Sequence, residues 1–296
     1  CYVPRARQPE ATMPTNLLRF ILAVMLLPLL WTAAGAQDAS LPELGSPLPG
    51  QKDITYLDLA RMIIPDLAAD KNGFYRGGLP IAMRHIEGPD SGGSPPETSG
   101  FSNASVLAIK AGGKDRLTML FDLGDSSDSA EGYAVLALYD ITGKPRLLDA
   151  ANVALDRSTY FREPGKLGIG ANDDILMIES SHSNSNQNYM IVPLIMVARD
   201  KLKLIDIIYL FDEHVCAHSR TQDVAFKAIA EGRRHAAIKV TVTDATVVND
   251  ESCDDRPPKP ESHDISVTYH WDKRTSHYAK DSDALNNLAG ENARRF

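Results

Sequence analysis

His214-Val215-Cys216-Ala217-His218 is the stretch in which residue type and spacing come nearest to a metal centre. On a continuous strand alternate side chains share a face, so His214, Cys216 and His218 would line up at steps of roughly 6 to 7 Å. Two imidazoles and a thiolate suit Zn²⁺ or copper. Cys216 carries a competing claim. Beyond Cys1 the chain holds only Cys216 and Cys253, and an even pair in an exported chain reads as a disulfide. The disulfide takes precedence, which leaves His214 and His218 as a metal-ligand pair only if the metal does without the sulfur. Otherwise they are exposed histidines flanking a cystine.

Two further positions could do chemistry. His182 stands among Ser180, Ser181 and Ser183, where a Ser/His pair is conceivable, although adjacent serines in a hairpin loop more often form turns. Asp206 stands between Leu204 and Ile208 on an otherwise apolar strand face. A buried acid there is either a functional group or the acceptor of a neighbouring donor. Asp122, Asp125, Asp128 and Glu131 recur at every third residue, whereas a calcium loop places its oxygens at alternate positions around a glycine bend, so ordinary turn chemistry is preferred. The pairs Asp173/Asp174 and Asp254/Asp255 lie in loops, and their geometry is not readable from sequence. There is no Gly-x-Ser-x-Gly elbow and no serine-lysine motif. Gly168-Ile169-Gly170 is too short for a phosphate cradle. No motif specifies a cofactor.

The elements that would hold these groups are mainly strands. Residues 174–181, 189–198 and 203–211 are rich in Ile, Leu, Val and Met and bounded by polar turns, the pattern of an antiparallel meander. The third of these strands is apolar on both faces and belongs in the middle of a core. Residues 104–110, 116–122, 133–140 and 146–153 read as strands before it. After it, Ile238, Val240 and Val242 alternate with Lys239, Thr241 and Thr243, and Ile265, Val267, Tyr269 and Trp271 alternate with Ser266, Thr268 and His270, as in sheets with one wet face. Thr55 followed by Asp58 reads as a capping box for a short helix that Pro65 ends. Residues 283–295 read as a C-terminal helix with Leu285, Leu288 and Ala289 on its apolar stripe. The expected fold is therefore a mainly β domain of antiparallel meanders over 52–296, with a short helix near each end and a mobile loop at 88–100.

Two runs resemble each other. Residues 117–149 and 175–206 both go strand, polar loop, strand opening on a tyrosine, turn, then a basic residue, two aliphatics and an aspartate. Tyr133 and Tyr189, and Asp149 and Asp206, are the matching points, and Trp271-Asp272 gives a weaker third echo of Tyr139-Asp140. Such spacing is compatible with repeated, propeller-like units, and equally with two unrelated amphipathic meanders.

Composition sets the remaining bounds. In 296 residues, 43% hydrophobic and 24% charged, there is enough apolar material for one large domain. Met13, Arg19, the apolar run 20–31 and Ala34-Gly35-Ala36 have the order of a signal peptide cleaved near Ala36. The run is short of the roughly 20 residues needed to span a bilayer. Residues 1–12 read as an upstream extension, and the Pro-rich stretch 37–51 as a flexible tether. Loss of Arg5, Arg7, Arg19 and Glu10 would take the formal charge of −8 to about −10. Such a negative field opposes nucleic acid and anionic membrane surfaces as partners.

The functional expectation is an exported, periplasmic or secreted, non-enzymatic binding or interaction protein for a small molecule or a protein, without stable membrane insertion of the mature chain. The alternative is a hydrolase or metal-dependent enzyme whose site is assembled from loops near His182, Asp206, His214 and His218.

Overall fold

Twelve strands of the chain fall into three consecutive four-stranded antiparallel meanders. In the computed structural model, which describes residues 38–249, 253 and 258–295, the first meander is β7 (Ser105–Ala111), β8 (Lys114–Asp125), β9 (Gly132–Asp140) and β10 (Arg146–Asn152). The second is β11 (Ser158–Gly168), β12 (Asp174–Ser183), β13 (Gln187–Ala198) and β14 (Lys201–His214). The third is β15 (His218–Ile229), β16 (Ala237–Val248), β17 (Glu261–Asp272) and β18 (His277–Lys280). They are preceded by β1 (Pro47–Leu48), β2 (Gln51–Thr55), α1 (Tyr56–Ala60), β3 (Ala68–Ala69), β4 (Tyr75–Gly77), β5 (Arg84–His85) and β6 (Ser99–Phe101), and followed by α2 (Ala284–Asn292). The fold is mainly β and antiparallel, and of the two α-helices among the described residues one lies at the C-terminal end. The parallel pairing of β5 with β10 is an exception. The two similar runs fall on β8–β9–β10 and β12–β13–β14.

Period-2 alternation stacks the meanders into layers. On β12 Leu176 and Ile178 face the first meander, where they meet Leu107, Leu120 and Leu136. Ile175 and Met177 face the other way and meet Val240, Val242 and Val267 of the third meander. The middle layer is thus apolar on both sides at β12, whereas β14, expected in the middle of the core, keeps Ile205 and Ile207 half-buried and Tyr209 exposed. Hydrogen bonding is continuous from the second meander into the third, yet β14 and β15 pair only at Glu213↔Arg220 and His214↔Ser219. Beyond that crease the sheet folds over on itself, so residues of β12–β14 and β15–β17 share one core that α2 completes with Leu285 and Leu288. The disulfide Cys216–Cys253 ties the crease to the β16–β17 connection. On the outer flank β18 covers β17 only from Tyr269 to Asp272.

The helix start follows the expected chemistry: the Thr55 side chain accepts the amide of Asp58, whose carboxylate in turn accepts the amide of Thr55. The stretch 37–51 differs from the expected tether. Leu44 and Leu48 are buried against Met119, Phe121 and Tyr139 on the outer face of the first meander, and Ser40 exchanges two backbone hydrogen bonds with Val106. Two leucines spaced among prolines suffice to anchor a segment without periodicity. The loop 88–100 lacks such apolar anchors and is held by polar ones: Asp128 accepts both the amide and the hydroxyl of Ser94, each at 2.6 Å. The acidic cluster, expected to serve only its own turns, also reaches distant segments: Asp122 accepts the Gly124 amide within its turn and the Thr159 amide of β11. The described residues form one compact unit. The expected signal peptide and its cleavage point lie outside the described residues.

Acids on the last strand of a meander reach the next one. Asp149 of β10 bonds the Leu202 amide at 2.9 Å and the Lys201 ammonium at 3.0 Å, both on β14, as well as Arg84 at 2.9 Å. Asp206 of β14 accepts the Tyr269 hydroxyl of β17 at 2.9 Å, with Lys280 of β18 at 3.8 Å.

Candidate functional site

His182 occupies the end of β12, opposite Tyr189 on β13, which is itself opposite Phe211 on β14. Because directly opposed residues share a sheet face, the three rings form a ladder across three strands. His182 and Tyr189 stack with centroids 4.5 Å apart and planes 21° apart, and Tyr189 and Phe211 follow at 5.2 Å. The ladder fixes the plane of the imidazole.

Asp156 fixes its tautomer. This acid sits in the connection between the first and second meanders, and its Oδ2 lies 2.5 Å from His182 Nδ1. Asp156 Oδ1 accepts the Arg157 amide, and the Asp156 carbonyl accepts the Gly132 amide at 3.0 Å. Gly132 is required there, since a Cβ would stand 2.5 Å from the Arg157 carbonyl oxygen. A carboxylate can only accept, so Nδ1 carries the proton and Nε2 is left as the open nitrogen.

His182 borders a cavity of about 470 Å³ between β13–β14 and α2, with Ile191, Leu210, Phe211 and Ala289 as its apolar walls. Tyr189 and Tyr209 also border it. Burial, reinforced for Tyr189 by Glu213 and for Tyr209 by Glu87, Asp206 and Glu131, pushes both phenols above their ordinary value, so they stay protonated. Asn292, which borders the cavity, belongs to a buried polar network. Arg220 makes a paired contact with Asp244, Gln222 bonds Asp244 at 3.0 Å, and the Gln222 and Asn292 side chains exchange hydrogen bonds at 2.8 and 3.1 Å. This network docks the end of α2 onto β15. Among the described residues no serine, threonine or cysteine borders the cavity. Its chemistry is that of a largely apolar receptacle with one oriented imidazole.

The other sequence candidates lie elsewhere. Asp206 accepts from Tyr269 and from the Ile207 amide, which is the structural use of a half-buried acid. The strand expected to run through His214 and His218 ends at His214. The chain reverses at 215–217, with the Val215 amide donating to the His218 carbonyl, so the two histidines do not share one strand face. His214 Nδ1 meets the Ser219 hydroxyl at 2.5 Å and His218 faces Glu213 at 3.6 Å, while Cys216 is bonded to Cys253. Among the described residues no three His, Cys, Asp or Glu side chains converge as a metal site. The four residues grouped in the enzymatic alternative are therefore not gathered into one site. Asp156 escaped the sequence reading, because it lies in a connection without periodicity and 26 residues from its partner. Comparison with protein-family models, curated proteins and solved structures yields no match.

Proposed function

We propose that the chain is an exported binding protein whose cavity receives a small, largely apolar molecule and addresses its one polar group with His182. The observation that carries this reading is the oriented imidazole on a largely apolar wall, with Asp156, Asn292 and the two tyrosines as the other polar residues at the cavity, the pattern in which a few placed polar groups set a ligand's orientation. Export is supported by the order of residues 13–36 and by the Cys216–Cys253 bond, a linkage that persists in oxidising compartments. No helix among the described residues is long and apolar enough to cross a membrane.

The test is titration of the protein with anilinonaphthalene sulfonate and with decanoate as competitor. Saturable one-to-one binding, lost when Ala289→Phe fills the cavity and weakened by His182→Leu, supports the reading. Equal binding by the filled variant overturns it. The Asp156–His182 pair also favours a second reading, a hydrolase in which Nε2 activates water. Turnover of a p-nitrophenyl ester that His182→Ala abolishes would establish it.

A further inference from the structure

At the opposite end of the layers, hairpins of all three meanders meet around a second cavity of about 380 Å³, within the range of ligand sites. Two buried side chains in its wall lack hydrogen-bond partners at one atom each: Asp173 Oδ2 and His235 Nδ1, with side chains only 7% and 6% exposed. The other Asp173 oxygen accepts the Gly112 amide at 2.6 Å, which aims the carboxylate. Arg234 and His235 stand 3.5 and 3.6 Å from the unpaired oxygen without hydrogen-bonding it. A buried polar atom left unpaired is costly, so the pair reads as a floor prepared for a hydroxyl that donates to Asp173 and contacts His235. Burial holds the His235 imidazole below its ordinary value and therefore neutral.

The rim has the opposite character. Lys114, Arg199 and Arg234 are exposed around the mouth, and they concentrate positive potential on a chain whose overall charge is negative. Asp200 also borders the mouth, where its carboxylate is paired with Arg116 at 3.0 Å. Trp271 forms a side wall, set edge-on to His235 at 4.4 Å and to Tyr278 at 5.3 Å. Among the described residues all three non-glycine positions of positive φ, Arg199 (54°), Asp200 (58°) and Ser276 (55°), border this cavity. A bare anion would meet the unpaired acceptor on the floor, and a cation would meet the guanidinium groups of the rim. A molecule that joins a hydroxyl donor to an anionic group satisfies both, and the indole offers an apolar face to a ring between them.

We propose that this cavity binds an acidic sugar of the uronic acid class, its carboxylate on Arg199 and Arg234, a ring hydroxyl between Asp173 and His235, and its ring against Trp271. The site is separate from the His182 cavity and does not depend on that reading.

Calorimetric titration of the full chain with glucuronate, glucose and acetate tests it. Glucuronate should bind at one site, with glucose and acetate weaker by about tenfold or more, the expectation for losing a charge-assisted hydrogen bond. The double variant Arg199→Asn/Arg234→Gln should lose about tenfold for glucuronate. Asp173→Asn, which keeps an acceptor for Gly112 while replacing the unpaired oxygen with a donor, should lose as much. Acetate binding as tightly as glucuronate, no saturable glucuronate binding, or unchanged affinity in the double variant would each overturn the proposal. Should Asp173→Asn fail to fold, the rim variant decides alone.

Discussion

Asp149 Oδ2 accepts the backbone amide of Leu202 at 2.9 Å, so an acid on the last strand of the first meander is bonded to the last strand of the second. Its side chain is 9% exposed, and it also serves Arg84 and Lys201. Asp149→Ala leaves the amide without an acceptor, at about 1 to 3 kcal/mol. It also removes two partly exposed ion pairs, which are worth at most about 1 kcal/mol each. Urea denaturation should show a loss of about 2 to 4 kcal/mol. Asp149→Asn keeps an acceptor and should cost markedly less.

Stability should fall as pH drops through the ordinary histidine range, and His235 should be part of the cause. Burial depresses its folded-state pKa; neighbouring Asp173 favours the proton and Arg234 opposes it, while Trp271 packs on the ring. The unfolded chain therefore binds more protons below its own histidine pKa of about 6.5, and protonation pulls toward unfolding. Melting temperatures at pH 5 and pH 7.5 should differ more for the parent than for His235→Asn. Equal differences would remove His235 from the account.

The bond between Cys216 and Cys253 closes a sequence separation of 37 residues. On the chain-entropy model that is worth roughly 4 kcal/mol. Cys253→Ser should lower the denaturation free energy by that order while leaving the strand content of the far-ultraviolet spectrum in place. A free-thiol count on the native, unreduced parent should find neither cysteine reactive.

Leu48 lies in a segment that composition marks as a tether, yet it is buried in the core against the first meander. Leu48→Ala should therefore cost about 2 to 5 kcal/mol, as truncation of a buried leucine does. A cost within about 0.5 kcal/mol, the usual effect of a surface change, would restore the tether reading.

The strands most legible in sequence are those with a strict apolar period. The three strands of the middle layer show it on both faces, and β16 and β17 on one. β11 and β15 are harder to see for a physical reason. β11 has a register break between Phe161 and Lys166, and β15 turns Arg220 and Gln222 inward, where Asp244 and Asn292 satisfy them. Buried polar networks erase the hydrophobic alternation that marks a strand. The same limit applies to the sites. His182 draws notice by its type, but Asp156, and the meeting of Asp173 with His235, depend on contacts between meanders distant in sequence. Asp206 stands out on its apolar face, and only the fold reveals that Tyr269 is its donor.

The partial cover that β18 gives β17 bears on self-association. Beyond Thr268, whose amide and carbonyl are taken by Asp281, the outer strand edge offers backbone groups to any chain able to extend the sheet, a route to aggregation. This stretch includes Glu261 and Asp264, both exposed, so two copies meeting edge to edge would bring carboxylates together. The charge at that border acts as a gatekeeper against fibre growth.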